Sequence, residues 1–183
     1  IDTLEKIFSY NEMHQKLVKK TEIFFQTAVS TEEENSTIFL IKDYIGQKYM
    51  NDGGVILNTA SNSANGDYAG YGPYIMSKIS VVGITKVAAI ELAPRKIRVN
   101  CICPNTIDTP MAYADGCETE LQVMGIQTPL ARMCKAEEAA ALYHFLAADD
   151  CQYITGEDIY IDGGLKAGPA NQMIDAILAS LEK

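Results

Sequence analysis

Apolar stretches and polar turns alternate through most of the sequence, and their lengths predict helices and strands in turn. The amphipathic stretch 36–50 predicts a helix, which the run NDGG at 51–54 ends. The short apolar stretch 55–59 is typical of a strand that is buried on both faces. A glycine-rich loop follows, and the pattern then predicts a helix over 74–92 that Pro94 ends.

The second half of the chain continues this alternation. An apolar strand is predicted at 97–103 and leads into Pro104, after which residues 105–134 have the mixed composition of a loop with short helices. The remaining pattern predicts a helix at 136–148, a strand at 158–162 and a last helix at 171–182.

The helix predicted at 74–92 carries apolar residues over much of its surface. A helix of this kind packs against other elements on most sides, so we expect it to be largely buried. Its apolar positions are Ile75, Ile79, Val82, Ile84, Val87 and Ile90.

Residues 1–34 do not follow the same pattern. They are polar, with the lysine-rich run KLVKK and an acidic run at 32–34, and they show no clear strand or turn pattern. Their apolar positions are compatible with short helices, so we interpret both charged runs as solvated helical faces.

Strands that alternate with helices predict a single α/β domain with a parallel sheet. Ligands of such sheets bind at the carboxyl ends of the strands, where the loops 60–73 and 104–134 leave the sheet. We therefore expect the functional residues in these two loops.

Composition and charge exclude several classes of protein. The net charge of −9 and the pI near 4.7 argue against nucleic-acid binding, which needs a basic surface. No apolar run approaches 18 residues, so we expect no membrane span, and the N-terminus shows no signal pattern. Small molecules or other proteins remain as partners.

The five cysteines form no CxxC pair and predict reduced thiols in a cytoplasmic protein. Cys101 and Cys103 lie two apart in a predicted strand and so share one face, where we interpret them as core residues. The histidines, His14 and His144, have no partner at metal-ligand spacing. We predict no metal site.

The pair Tyr74 and Lys78 lies one helical turn apart at the start of the helix predicted at 74–92. A free tyrosine has a pKa of about 10, and a nearby ammonium favours the phenolate and lowers that value. Ser61 precedes Tyr74 by 13 residues at the end of a predicted strand, where its hydroxyl could bind a substrate oxygen. A second such pair, Tyr44 and Lys48, has no comparable surroundings.

Ser61, Tyr74 and Lys78 at this spacing resemble the active site of the short-chain dehydrogenase/reductase family, of the classical type. The flanking segments GVILNTAS, YGPYIMSKISVVGITKVAAIELAPRKIRVNCICP, TPLARM with AEEAA, and ITGEDIYIDGG resemble the family in the same order. The resemblance covers about residues 36–165. It implies a Rossmann-like doubly wound parallel sheet, and it divides the domain 1–183 into an N-terminal remnant over 1–34, a catalytic portion 35–168 and a tail 169–183.

The resemblance also implies an oxidoreductase that uses NAD or NADP and acts on a secondary alcohol or ketone. Tyr74 would transfer the proton while hydride passes between the substrate and the nicotinamide. Lys78 would lower the pKa of Tyr74 and hold the nicotinamide ribose, and Ser61 would orient the substrate oxygen.

The segment from Pro104 to Pro110 resembles the turn that cradles the nicotinamide in this family. Pro104 and Asn105 would open the turn, the backbone of Ile107 would meet the carboxamide, and the hydroxyl of Thr109 would complete the contact. Glycine is usual in the family where Asn105 stands. Asn is among the few other residues that tolerate a positive φ, so we expect the turn to survive with slight strain.

The first half of the family's fold is missing or incomplete in this sequence. The glycine-rich pyrophosphate turn, the residue that selects NAD or NADP and the Asn-Asn-Ala-Gly stretch do not occur. Such a half needs at least about 55 residues, whereas 34 precede the helix predicted at 36–50. Because the sequence begins at Ile1, we expect omitted residues; a fragment or a degenerate member are the alternatives.

Two functions therefore compete. One is the NAD(P)-dependent enzyme, and the other is a catalytically silent subunit that associates through helices 36–50 and 74–92. The resemblance implies a homodimer or homotetramer in either case.

The segment 110–133 should form a lid over the substrate. Its residues Met111, Tyr113, Leu121 and Met124 suggest a partly apolar pocket, although a helix packing them into the core would show the same pattern.

Overall fold

The computed structural model describes residues 23–27, 50–66, 69–110, 112–113 and 118–182. The predicted helix at 36–50 lies outside these residues except for Met50. The strands are β1 (Ile23–Thr27), β2 (Val55–Thr59), β3 (Arg98–Pro104), β4 (Ile107–Asp108), β5 (Cys134–Lys135) and β6 (Asp158–Ile161). The helices are α1 (Gly72–Leu92), α2 (Glu118–Gln127), α3 (Ala136–Ala147) and α4 (Asn171–Leu181).

A four-stranded sheet forms the centre of the described structure, in the order β1-β2-β3-β6. All neighbouring strands in it are parallel, with Val55 opposite Arg98 and Cys101 opposite Asp158. The short strands β4 and β5 form a separate parallel pair, which the sequence did not predict. The predicted α/β fold with a parallel sheet is confirmed, whereas the division into 1–34, 35–168 and 169–183 stays a prediction.

Strand β1 lies within the segment where the sequence showed no strand pattern, so that interpretation of residues 1–34 was wrong for 23–27. The five-residue stretch IFFQT has no glycine or proline at either end to mark it. Its pairing with β2, in which Thr27 lies opposite Thr59, establishes it as a strand. The carboxyl ends of β1 and β2 therefore meet at the same edge of the sheet.

Both faces of the sheet are covered, which makes the fold doubly wound. Alternate residues of a strand point to opposite faces, so β2 and β3 each supply two apolar layers. One face packs against α1 and contains Ile56, Ala60, Val81, Ala89, Leu92, Val99, Cys101 and Cys103. The other packs against α3 and contains Val55, Leu57, Ile102, Leu146 and Ala147.

Helix α1 is buried along one face only, so the prediction that it is largely buried was wrong. The buried residues are Lys78, Val81, Thr85, Ala89 and Leu92, which recur at helical spacing. On the opposite face Met76, Ile79, Val87 and Ile90 are exposed, Ile90 to 77%. The sheet can cover only one side of a helix that lies on its surface, so the second apolar face stays exposed among the described residues.

Buried polar side chains make hydrogen bonds on both faces of the sheet. The Asn58 amide Nδ2 donates to Thr85 Oγ1 at 2.9 Å, and Thr85 Oγ1 donates to the Val81 carbonyl at 2.9 Å. On the other face, Asn100 Nδ2 donates to the carbonyl of Ile154 at 2.8 Å. These buried side chains set the position of each element where an apolar contact would allow sliding.

Replacing either of two glycines that have a positive φ by alanine should lower stability, and by different amounts. Gly163 has a φ of +63°, and a Cβ added there would lie 2.6 Å from Thr128 Cγ2. Gly53 has a φ of +83° with no atom within 4 Å of such a Cβ. We expect Gly53→Ala to cost about 1–2 kcal/mol through backbone strain. We expect Gly163→Ala to cost about 1–3 kcal/mol more, because Thr128 must also move.

Urea unfolding of the two variants measures this difference. Equal losses of the free energy of unfolding would show that Thr128 adapts without cost and would contradict the tight packing.

No helix among the described residues is long and apolar enough to cross a membrane.

Candidate active site

Ser61 lies where β2 leaves the sheet. The backbone N–H of Ala60 still donates to the Ile102 carbonyl at 2.8 Å, and Ser61 then begins a short 3-10 helix, Asn62–Asn65. Its Oγ caps that helix by accepting from the Ser63 backbone N–H at 3.2 Å. The short helix packs against α1. Ser61 is thus held at the carboxyl edge of the sheet, close to the start of α1.

Tyr74 and Lys78 lie in the first turns of α1, on the face that packs toward the sheet. Pro73 sits in the first turn of this helix, where its missing N–H leaves no helical bond unmade. The helix begins at Gly72, two residues before the predicted start. The Lys78 Nζ lies 5.4 Å from the centroid of the Tyr74 ring, within the range of a cation–π contact.

Lys78 is buried to an extent that is unusual for a lysine, with 3% of its surface exposed. Burial lowers the pKa of Lys78 to about 8, and the nearby thiols of Cys101 and Cys103 oppose this shift. The ammonium is therefore charged at neutral pH but loses its proton more readily than an exposed lysine does.

The thiols of Cys101 and Cys103 lie beneath this group and are both fully buried, which confirms that they are core residues sharing one face. The hydrogen bond to Cys103, together with burial, raises the pKa of Cys101. The pKa of Cys103 is lowered, by Cys101 first and also by the backbone N–H of Ser61. Ser61 and Lys78 thus approach the same thiol from β2 and α1.

The turn expected to cradle the nicotinamide follows Cys103 directly. Pro104 ends β3 and is buried, and β4 begins at Ile107 and pairs with Cys134. The Thr109 Oγ1 lies 3.5 Å from the Ile107 carbonyl. A cleft of about 440 Å³ adjoins the turn and is lined by Asp108, Thr109, Pro110, Tyr113, Lys135, Ala136 and Glu137.

Asn105 does not adopt the left-handed backbone that its place in the turn suggested, so the expectation of a positive φ with slight strain was wrong. The positive φ values of described non-glycine residues belong to Lys96 and Ala131. Instead, the Asn105 backbone N–H donates to the Ile161 carbonyl at 3.1 Å, and its Nδ2 donates to Thr128 Oγ1 at 3.0 Å. A side-chain hydrogen bond replaces the special backbone conformation.

A family model described as Enoyl-(Acyl carrier protein) reductase matches residues 6–166. Among known proteins, the chain is 32% identical over 167 residues to Dehydrogenase/reductase SDR family member 4 of Oryctolagus cuniculus. That match covers 90% of this chain and 63% of the relative. The chain belongs to the short-chain dehydrogenase/reductase family.

Two further proteins are similar to this chain. The chain is 39% identical over 137 residues to the Uncharacterized oxidoreductase YxbG of Bacillus subtilis (strain 168), covering 70% of this chain and 50% of that protein. A blue fluorescent protein from a metagenomic library, solved in complex with NADPH, superposes with a TM-score of 0.68 at 26% identity. The superposition covers 84% of this chain and 68% of that one.

The chain spans between about half and two thirds of the length of the curated relatives that it matches. The family match begins at residue 6, earlier than the predicted resemblance over 36–165, and so includes β1. The second pair, Tyr44 and Lys48, lies outside the described residues.

The structure also shows polar residues at the candidate site that sequence reasoning missed. Asn62 is almost fully buried beside Ser61, and neither atom of its amide has a hydrogen-bond partner in the described segments of the chain. The Oδ1 of Asn58 is unpartnered in the same sense. Only the proximity of Asn62 to Ser61 in sequence could have indicated it, because an asparagine after a strand is typical of an ordinary turn.

The structure describes three of the four residues that were predicted to line an apolar pocket. Tyr113 is half exposed, and its hydroxyl donates to Asp108 Oδ1 at 2.9 Å, which with burial raises the pKa of Tyr113. Leu121 and Met124 are half-buried on α2. Met111 lies outside the described residues.

Proposed function

We propose that the protein carrying this chain is an NAD(P)-dependent oxidoreductase that interconverts a secondary alcohol and a ketone. The observation that carries the proposal is the buried Lys78, whose ammonium lies one helical turn from Tyr74 and 5.4 Å from its ring. Burying an unneeded ammonium costs stability, so its place beside a phenol favours a chemical role.

Each residue of the set has a defined task in this proposal. Tyr74 acts as general acid or base on the substrate oxygen, and the ammonium of Lys78 lies beside its ring, one helical turn away. Ser61 is fixed at the end of β2, where its hydroxyl donates to the substrate oxygen and holds it against Tyr74.

The donor groups present suit a nicotinamide cofactor. A buried ammonium and a phenol at Lys78 and Tyr74 match the hydroxyls of the nicotinamide ribose, and the turn offers the backbone of Ile107 and the hydroxyl of Thr109. Pro104 and Asn105 would shape the same turn. The cofactor would donate or accept the hydride. The NADPH complex of the metagenomic relative supports NAD or NADP as the class of cofactor.

Nicotinamide binding and turnover test this function directly. We expect the intact protein to bind NAD(H) or NADP(H), seen as quenching or a shift of dihydronicotinamide fluorescence, and to reduce members of a ketone panel. A protein that binds neither cofactor in either redox state would overturn the enzyme and leave the silent-subunit alternative.

The exposed apolar face of α1 favours a second property, association into a homodimer or homotetramer. Four apolar side chains occupy this face over 15 residues, opposite the face that packs on the sheet: Met76, Ile79, Val87 and Ile90. Such a stripe on an otherwise ordered helix is typical of a protein interface. We propose that α1 packs against another copy of the chain, in the enzyme and in the silent-subunit alternative alike.

The variant Ile90→Glu tests this interface. We expect it to shift the protein toward monomer in size-exclusion chromatography with light scattering, because a carboxylate would be desolvated in an apolar contact. Leu181→Glu on α4 is the matched control, since Leu181 and Ile90 are equally exposed, at 77%. A monomeric wild type, or an Ile90→Glu protein that assembles like the wild type, would contradict the proposal.

The buried thiols Cys101, Cys103 and Cys151, which form no disulfide, support a reducing compartment such as the cytoplasm. We propose that location for the protein.

A further inference from the structure

Thr128 lies where four segments of the described structure meet. It follows the carboxyl end of α2 and is 2% exposed. Its side chain meets Asn105 of the turn after β3 and lies against Gly163 of the turn after β6. Its carbonyl accepts from the Nε2 of Gln172, in the first turn of α4, at 2.6 Å. One small buried residue thus connects both turns and both helices.

Donor and acceptor can be assigned in only one way in the two hydrogen bonds of the Thr128 hydroxyl. A hydroxyl has a single proton to donate, and here it goes to the Met124 carbonyl at 2.7 Å. The same Oγ1 must then act as acceptor for the Asn105 Nδ2, at 3.0 Å. The contact therefore needs a donor at position 105 and a hydroxyl at position 128. Neither glycine at 105 nor valine at 128 can supply its half.

The backbone after Thr128 is held in a strained form by these contacts. Ala131 has a φ of +54°, which an alanine adopts at a cost, and its N–H donates to the Thr128 carbonyl at 2.8 Å. The neighbouring Leu130 N–H donates to the Gly163 carbonyl at 3.1 Å, which joins this segment to the turn after β6. A strained turn persists only where its surroundings determine it, so Thr128 sits in a rigid junction.

We infer that Asn105 is a positioning residue that, through Thr128, couples the turn after β3 to α2. This inference rests on the proposed function, in which that turn holds the nicotinamide. Binding of the cofactor then orders α2 through the Asn105–Thr128 hydrogen bond. Conversely, the position of α2 affects the affinity of the turn for the cofactor, since coupling between two sites acts in both directions.

A double-mutant cycle with Asn105→Gly and Thr128→Val tests the coupling. We expect each single variant to weaken nicotinamide binding by about threefold to tenfold, the effect of one neutral hydrogen bond. The double variant should bind no more weakly than the weaker single variant, because the same bond is lost in all three. Thr128→Ser keeps the hydroxyl and should retain affinity near that of the wild type.

Hydrogen exchange supplies a readout that a merely structural role would not change. In the wild type, we expect nicotinamide to slow exchange of the amides in 118–127. In Asn105→Gly and Thr128→Val, that cofactor-dependent slowing should be lost even where saturating cofactor is bound. Thr155→Val is the matched control, because it removes the contact of a Thr hydroxyl with the Val99 N–H at 3.0 Å, near the opposite end of β3. It should preserve the slowing.

The outcomes separate the two proposals. A wild type that binds no nicotinamide overturns the proposed function, and with it the cofactor dependence of this inference. A wild type that binds, together with additive losses in the cycle or unchanged slowing in Asn105→Gly, overturns the positioning role alone. If Thr128→Val does not fold, the comparison of Asn105→Gly with the wild type and with Thr128→Ser still decides between these results.

Discussion

Tyr74→Phe should reduce turnover by about 10²-fold to 10⁴-fold, the contribution of a positioned general acid or base. The change removes one hydroxyl from a half-buried ring at the start of α1 and leaves its helical and packing contacts in place. We therefore expect a folded protein that still binds nicotinamide but no longer transfers the proton. Steady-state kinetics and cofactor titration of the same preparation measure both properties.

The control for this prediction is Tyr153→Phe, which removes the same hydroxyl from a fully exposed side chain. We expect wild-type kinetics from it. If Tyr74→Phe keeps more than a tenth of the wild-type turnover while Tyr153→Phe is unchanged, another group must supply the proton, and the proposed role of Tyr74 is wrong.

Lys78→Met should abolish turnover and at the same time raise the free energy of unfolding at neutral pH. The wild-type ammonium is buried, and burial lowers the pKa of Lys78 from 10.5 to about 8. Below pH 8 the folded protein therefore bears the full cost of a buried charge, which amounts to about 3 kcal/mol. Methionine has a similar length and no charge, so it removes this cost.

The pH dependence gives this second prediction its sign. Between pH 8 and 10.5 the unfolded chain keeps the Lys78 proton while the folded protein releases it, so the unfolded state binds more protons. Stability linked to Lys78 then rises with pH across this window. We expect the difference in unfolding free energy between Lys78→Met and wild type to shrink from pH 8 to 10.5.

Other groups titrate at high pH, and a comparison of variants removes their effect. Burial raises the pKa values of Tyr143 and Tyr160 to about 12, which lowers stability above pH 10 in every variant alike. Lys86→Met is the control, because Lys86 is exposed and forms an ion pair with Asp158 at 2.8 Å. A constant difference between Lys78→Met and wild type from pH 7 to 10.5 would disprove the burial of a charged Lys78.

Regular elements with a strong apolar pattern could be located from the sequence to within one or two residues. The strand predicted at 97–103 is Arg98–Pro104, and the helix predicted at 136–148 is Ala136–Ala147. Strand β1 could not be found in this way. Five residues without turn residues at their ends match several structures equally well, and only pairing with β2 decides among them.

In the candidate site, too, features set by local spacing could be predicted, whereas those set by long-range contacts could not. The spacing of Ser61, Tyr74 and Lys78 indicated a functional set because helical geometry alone brings Tyr74 and Lys78 together. The hydrogen bond of Asn105 could not be inferred in this way, because its partner Thr128 is 23 residues away. The approach of both Ser61 and Lys78 to Cys103 likewise requires β2, β3 and α1 to be packed.

What the sequence by itself determined is the family, the order of apolar strands and helices after residue 50, and the placement of Tyr74 and Lys78 on one helical face. These features depend on residue types at short, fixed spacings, which local backbone geometry converts directly into shared faces. Tertiary structure alone decided that β1 joins the sheet, that Lys78 is buried and that Ile90 is not, and that Asn105 reaches Thr128. Burial and long-range hydrogen bonds depend on which surfaces meet, and that is settled only when the whole sheet and its helices pack together.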